Sequence, residues 1–214
     1  MEKYKIIQKL HMLKYRGLIA KLVERDSNVL DIGFGFGYLK PLVESRGANY
    51  SGVDPRRDGA VEYAKENYGE EGFVQGYFPE AKPLTKEELK DGVILALTSL
   101  DEVVDQDSFL TEICNLCSEK TRVYIAVRNS GWLLFRKRKL VTIDGYEIRD
   151  YSLEDYFRKF ERNGFEVLKI EKSSRPILTS VTLKEFKNFI IVLIDLLLPT
   201  KKSYMLGFLL KKLS

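Results

Sequence analysis

Two cysteines, Cys114 and Cys117, and one histidine, His11, are all the thiol and imidazole that these 214 residues carry. So few cannot build a disulfide framework, and they cannot complete a four-ligand Cys/His zinc site without carboxylate help. The scarcity implies a reducing compartment and no metal centre. Glycine and proline are also sparse, at 15 and 6 residues, while 44% of the chain is hydrophobic and 31% charged. That composition excludes collagenous, low-complexity and disordered classes and fits one globular domain. A strong charge of one sign is missing too, since 35 Lys+Arg against 31 Asp+Glu leave +4. This is too mild to announce a nucleic-acid binder without a clustered basic face, although it does not exclude one. No secretory-type apolar segment follows Met1, and the run from Phe189 to Leu198 is broken by Asp195. That run falls short of the roughly 20 residues a spanning helix needs. A cytoplasmic location with no transmembrane segment is expected.

What is present is alternation. Apolar residues at Ile6, Leu10, Leu13, Leu18, Ile19, Leu22 and Val23 have the spacing of an amphipathic opening helix. The β-prone run Asn28 to Ile32 stops at Gly33-Phe34-Gly35-Phe36-Gly37, and helical spacing returns from Tyr38 to Ser45. Strand-like runs at Ala48 to Val53, Gly72 to Gln75, Gly92 to Leu97 and Arg122 to Val127 alternate with helical patterns at Gly59 to Asn67 and Ser108 to Cys117. Continuous apolar strands covered by helices on both faces predict a doubly wound, mostly parallel α/β sheet. Beyond it, Tyr151 to Asn163 reads as helix, Gly164 to Glu171 as strand, Leu183 to Leu198 as helix and Tyr204 to Leu213 as a last strand.

In such sheets a ligand sits where the first strand turns into the first helix. Here that turn is rich in glycine, and Asp54 stands at the end of the second strand, 23 positions after Asp31. A carboxylate there accepts both hydrogen bonds of a ribose diol, so turn and acid point to an adenosine-type cofactor. The spacing G-x-G-x-G, with Tyr38 where a dinucleotide fingerprint has its third glycine, disfavours a pyrophosphate. No Gly-Lys-Ser/Thr follows, which disfavours a P-loop more strongly.

At these residues the chain resembles the class I S-adenosylmethionine-dependent methyltransferases. Val29 to Leu39 looks like their first motif, Gly52-Val53-Asp54-Pro55 their second, Phe73 to Phe78 their third and Ala96 to Val103 their fourth. Tyr77 stands where the family often has an aspartate for the adenine amino group, and Asp101-Glu102 stand where it often has Glu-His. The resemblance implies a Rossmann-like methyltransferase fold of seven strands, the last antiparallel, and S-adenosylmethionine as cofactor. It also implies a single domain over 1–214, with 1–27 as a helical cap and 131–163 and 174–203 as acceptor-side insertions. Cofactor contacts are implied at Asp31, Gly33, Phe34, Gly35, Gly37, Asp54, Pro55, Gly76, Tyr77, Phe78, Leu97 and Thr98. The tail, at Asn129 to Leu134, Gly164 to Val167 and Asp195 to Pro199, is loosely similar to methyltransferases of glycan and lipid-linked sugar biosynthesis.

An activated methyl needs chiefly an acceptor held in line, with a base to take a hydroxyl proton as a further help. Asp101 and Glu102 are the candidates for that base, or else carboxylates at a helix start favoured by the macrodipole. His11, Asn129, Trp132 and Arg136 are candidate acceptor contacts. The run Arg136-Lys137-Arg138-Lys139 would suit a phosphate, an RNA backbone or an anionic membrane, or is simply solvated. Cys114 and Cys117 read as packing residues. No Asn/Asp-Pro-Pro-aromatic run follows the fourth strand, and the resemblance implies that such a run would accompany exocyclic amine methylation of DNA or RNA, so its absence argues against that reaction. The expectation is O-methylation of a small molecule or glycan. An RNA methyltransferase, a non-catalytic cofactor-binding regulatory subunit and, more remotely, a dehydrogenase are the alternatives.

Overall fold

The computed structural model describes residues 15–129, 140–141, 147–148, 152–172 and 205–213. In chain order these form α1 (15–22), β1 (Asn28–Ile32), α2 (Lys40–Glu44), β2 (Asn49–Asp54), α3 (Ala60–Tyr68), β3 (Phe73–Gln75), β4 (Val93–Leu97), a 3-10 turn (Leu100–Glu102) and α4 (Gln106–Leu116). Then come β5 (Arg122–Arg128), the short antiparallel ribbon β6 (Leu140–Val141) and β7 (Glu147–Ile148), α5 (Leu153–Arg162), β8 (Phe165–Lys172) and β9 (Met205–Lys212). Seven strands make one sheet in the order β3-β2-β1-β4-β5-β9-β8. The pairs among the first five strands are parallel, and β9 runs antiparallel to both β5 and β8. The doubly wound reading and the antiparallel last strand are both as expected.

Strand alternation divides the core in two. Leu30, Ile32, Ile94, Ile125 and Phe208 face α4 and α5, where Phe109, Ile113, Tyr156 and Phe160 close the layer. Val29, Tyr50, Leu95 and Tyr124 face α1, α2 and α3, which contribute Tyr15, Ile19, Val43 and Ala64. After β1 the chain winds outward to β2 and β3, then returns to lay β4 on the other side of β1. The reversal opens a crevice beyond the carboxyl ends of β1 and β4, the usual ligand position in such sheets.

Four helices begin one or two residues from the expected places: α3 at Ala60 rather than Gly59, α5 at Leu153 rather than Tyr151 because Ser152 caps it, and two more for equally local reasons. The helix expected from Tyr38 starts at Lys40, with Pro41 in its first turn, where a missing N–H costs nothing. The helix expected from Ser108 starts at Gln106, because the Asp105 side chain accepts the Ser108 N–H at 2.9 Å and caps it. The helix expected over 183–198 lies outside the described residues, as do the start of the opening helix, all of 174–203 and most of 131–151. No helix among the described residues is long and apolar enough to cross a membrane.

Candidate functional site

The crevice floor is the turn between β1 and α2. Gly33, Gly35 and Gly37 all have left-handed backbone, with φ of 80°, 57° and 72°. Side chains resist that conformation, and at Gly37 space resists as well. A Cβ there would stand 2.8 Å from the Phe73 ring and 2.9 Å from the Ala64 Cβ. At Gly35 a Cβ would meet only an Arg56 nitrogen, at 3.4 Å, so this peptide lies open on one side. The Ser99 hydroxyl donates to the Ile32 carbonyl, joining the loop after β4 to the loop after β1 across the switch point.

Asp54 is gripped by main chain on both oxygens. Gly35 N–H donates to Oδ2 at 2.7 Å and Arg56 N–H to Oδ1 at 2.8 Å, with the residue buried. Burial pushes its pKa up, and these two N–H bonds oppose the rise. Each carboxylate oxygen keeps a second lone pair, so the acid is pre-oriented to accept two hydroxyls of a diol. Glycine cradle and fixed carboxylate together fit an adenosine-type cofactor.

Asp31 lies deeper, fully buried on the same side of the sheet, where the Tyr50 hydroxyl donates to Oδ2 at 2.8 Å. Burial pushes its pKa up to about 7, the Tyr50 bond pulls against that, and the charge of Asp54 adds to the rise. The Tyr50 phenol is in turn held well above its ordinary value by burial and by Asp31. Tyr15 of α1 closes over the pair, its phenol raised by burial, by Tyr124 and by Asp31.

The aromatic residues of the turn divide by role. Phe34 points into the core, with ring centroids 4.9 Å from Phe73, so it offers a ligand only its backbone. Phe36 stays at the rim, 5.7 Å from Tyr38 and edge-on to Tyr63 at 5.4 Å, with the Arg56 guanidinium 5.2 Å over its ring.

The remaining candidates among the described residues follow the carboxyl ends of β2, β3, β4 and β5. Pro55 follows Asp54 half-buried, Gly76 N–H donates to the Asp54 carbonyl at 3.0 Å, and Tyr77 is exposed beside it. Phe78 turns away to pack edge-on against Phe109 at 5.4 Å. Leu97 is half-buried, and Thr98, at φ 74°, donates its N–H to the Ala126 carbonyl at 2.9 Å. Asp101 is buried and accepts from the Tyr156 hydroxyl at 3.1 Å, whereas Glu102 is half-buried and its charge acts on Arg56. Asn129 is buried immediately beyond β5. His11, Trp132, Arg136 and the basic run 136–139 lie outside the described residues. Burial pushes the Cys117 thiol up to about 12, which makes it inert packing at neutral pH. Among the described residues no cluster of His, Cys, Asp and Glu suits a metal.

Arg56, Tyr50, Ser99 and Tyr156 were not anticipated. A signal for Arg56 existed, since Asp-Pro starts a turn and an aspartate commonly accepts from the N–H two residues on. Tyr50 shares a strand face with Asp54, and that alternation is readable, but its contact with Asp31 needs the β1–β2 register.

A family model described as a methyltransferase domain matches residues 7–170. Among curated proteins none matches. Solved structures similar to the chain include one from the complex of the Haloferax volcanii Trm112 methyltransferase activator with a methyltransferase (16% identity, 98% of this chain and 93% of that one, TM-score 0.70). A second is an S-adenosylmethionine-dependent methyltransferase from Archaeoglobus fulgidus (17%, 96% and 94%, 0.65). A third, from Thermotoga maritima, is described as a possible histamine N-methyltransferase (18%, 99% and 93%, 0.61). At these identities the likeness shows a common fold.

Proposed function

We propose, on the premise that the chain belongs to the methyltransferase-domain family, that it transfers a methyl group to a hydroxyl of a small-molecule or glycan acceptor. The cofactor is S-adenosylmethionine, which supplies a methyl carbon already activated by its sulfonium. The chain's own task is therefore to hold, orient and exclude water. Asp54, fixed by the Gly35 and Arg56 N–H groups, holds the ribose diol, and the left-handed glycine turn lets the nucleoside lie against main chain. Leu97, Thr98 and Gly76 border the same crevice. On the acceptor side, Glu102 is the better placed of the two carboxylates to take a hydroxyl proton, because an Asp101 oxygen is already engaged by Tyr156 inside the core. Asn129, at the end of β5, is an acceptor contact in this reading. The protein is taken to be a single cytoplasmic domain over 1–214, with peripheral membrane contact through its tail left to the acceptor.

One observation carries the reading: both oxygens of a buried carboxylate are fixed by N–H groups, one from the left-handed glycine turn and one from the loop after β2. Mass spectrometry of the natively purified protein should find a co-purified adenosine thioether. Methyl-tritiated cofactor should label a component of a cell extract, and Gly35→Asp, which sets a second carboxylate against Asp54, should not support labelling. Affinity for NAD without affinity for S-adenosylhomocysteine would refute the reading.

A second reading, a cofactor-binding subunit that serves a partner, draws support from the Haloferax volcanii likeness, since that structure holds a methyltransferase activator. Tight cofactor binding with no transfer to any extract would favour it. RNA as acceptor predicts binding that weakens steeply with salt.

A further inference from the structure

Arg56 is the one cation at the crevice mouth among the described residues whose side chain is shown to interact with its carboxylates. Its guanidinium carbon lies 5.2 Å over the Phe36 ring, and one terminal nitrogen is 3.4 Å from the point a Cβ at Gly35 would occupy. The other terminal nitrogen is tethered to Asp58 Oδ2 at 2.5 Å. Its backbone is fixed as well, by the N–H bond to Asp54 and by Gln75 Nε2, which donates to the Arg56 carbonyl at 2.7 Å. Asp58, Asp54 and Glu102, from two different loops, all act on its charge. Its Nε is a buried donor with no hydrogen-bond partner among the described residues, and the terminal nitrogen beside Gly35 is the donor turned toward the open peptide. A buried, ionised donor without an acceptor is costly, and the group is held by both its ring contact and its tether in a position next to the diol-binding acid.

We infer that Arg56 is the second half of the grip on the nucleoside: held over Phe36 and tied to Asp58, it donates to the ribose hydroxyls from which Asp54 accepts, and so makes the site select an intact diol. The chemistry of a hydroxyl favours this pairing. Each hydroxyl gives its single proton to the Asp54 carboxylate, which leaves its lone pairs for a donor, and Arg56 presents one beside that carboxylate. Asp58 then acts as a positioning residue, since its contact reaches the ligand only through Arg56. This inference rests on the cofactor reading above.

Calorimetry on the full chain tests it with S-adenosylhomocysteine and its 2′-deoxy and 3′-deoxy analogues. The wild type should bind the parent more tightly than at least one deoxy analogue. Arg56→Met should weaken the parent by about tenfold or more, the usual scale for a charge-assisted hydrogen bond, and should weaken that analogue less, so the preference for the diol narrows. Arg56→Lys, which keeps the charge without the planar fork, should recover part of the affinity and little of the preference. Asp58→Asn should narrow the preference in the presence of Arg56 and add nothing to Arg56→Met, a non-additivity that a merely structural role would not produce. Thermal melts of the same variants report whether they fold. The inference is overturned if folded Arg56→Met binds the parent within twofold of wild type, or loses parent and both analogues equally. Failure of the wild type to bind S-adenosylhomocysteine at all would overturn the cofactor reading along with it, whereas binding that ignores Arg56 would overturn this inference alone.

Discussion

Replacing Asp31 by asparagine should remove a pH dependence from the stability of the fold, and the size of that dependence follows from burial. The carboxyl lies in the core with the Tyr50 hydroxyl on Oδ2, and burial lifts its pKa from the ordinary 3.8 to about 7. A raised folded-state pKa means that the folded protein binds the proton more tightly than the unfolded chain does. Stability from this group is therefore full below the unfolded value and falls as pH rises toward 7. Above that it is flat, because both states are then ionised. At about 1.4 kcal/mol per tenfold in proton affinity, the ionised residue costs the fold about 4 kcal/mol at pH 8, of which about 3 is lost between pH 5 and pH 8. The amide of Asp31→Asn keeps an oxygen for Tyr50 but does not titrate. Its unpartnered NH2 group costs about 1–3 kcal/mol at every pH, so the absolute difference is a poor readout and the slope is the useful one. Urea unfolding followed by far-ultraviolet circular dichroism at pH 5, 6, 7 and 8 should show the wild type losing stability relative to the variant by about 1.4 kcal/mol per pH step up to 7, then levelling. Parallel profiles would refute the argument, because they would mean that Asp31 is already ionised in the fold at pH 5. A carboxylate kept at such a cost beneath a ligand turn is what a trade of stability for function predicts.

Three further expectations concern the frame around the site. Gly37→Ala adds a methyl 2.8 Å from the Phe73 ring and 2.9 Å from the Ala64 Cβ at a left-handed φ, so it should cost about 1–3 kcal/mol in urea unfolding and weaken S-adenosylhomocysteine in calorimetry. Lys40 is buried, and its ammonium donates to the Tyr68 carbonyl at 2.9 Å and the Glu71 carbonyl at 2.7 Å, at the end of α3. Lys40→Met should leave those carbonyls without their cation, costing about 1–3 kcal/mol and showing as faster amide exchange over residues 65–72. Asp107 ties α4 to α5, accepting from Arg162 Nε at 3.0 Å and Asn163 Nδ2 at 2.8 Å, and the Arg162 bond holds its pKa below the usual range. The contribution is present at neutral pH and lost as pH falls through the carboxylate range. Because the group is half-exposed, Asp107→Ala should cost only about 1 kcal/mol, and thermal melts at pH 7 and pH 3 should show the deficit at the first and not at the second.

The parallel half of the sheet was legible because its strands are buried on both faces and read as unbroken apolar runs such as Val93 to Leu97. Where a strand is less apolar, the reading depended on its neighbours. Phe165–Lys172 alternates charge with hydrophobe and was recognised as a strand, yet nothing in it says that β9, from the far end of the chain, would lie between it and β5. That placement is a nonlocal choice, supported by the apolar face of Leu206, Phe208 and Leu210 against Tyr156 and Phe160. Helix starts were missed by one or two residues where a cap or proline, rather than the apolar period, sets the boundary. Asp105, Ser152 and Pro41 are such cases.

The two halves of the candidate site differ in legibility for a physical reason. The cofactor side is made of backbone, and its demands on sequence are local: a turn that needs positive φ must be spelled with glycine, and an acid that closes a strand must stand beside it. Gly33, Gly35, Gly37 and Asp54 are therefore visible in the one-dimensional text. The acceptor side is made of side chains that different elements bring together, and their chemistry depends on who their neighbours are. Asp101 and Glu102 are adjacent and chemically alike in sequence. The fold separates them, because the 3-10 turn sends Asp101 into the core to meet Tyr156, 55 residues on, and leaves Glu102 facing the mouth where its charge acts on Arg56. A tyrosine hydroxyl inside the core needs a partner, and Asp101 supplies it; that requirement, rather than any property of Asp101 itself, turns Asp101 inward while Glu102 stays half-buried. If the assignment is right, Asp101→Asn should behave as a packing lesion, lowering the melting temperature while the labelling rate per folded molecule holds. Glu102→Gln should do the reverse, and a Glu102→Gln variant that labels its acceptor as fast as wild type from pH 6 to pH 9 would remove Glu102 as the base.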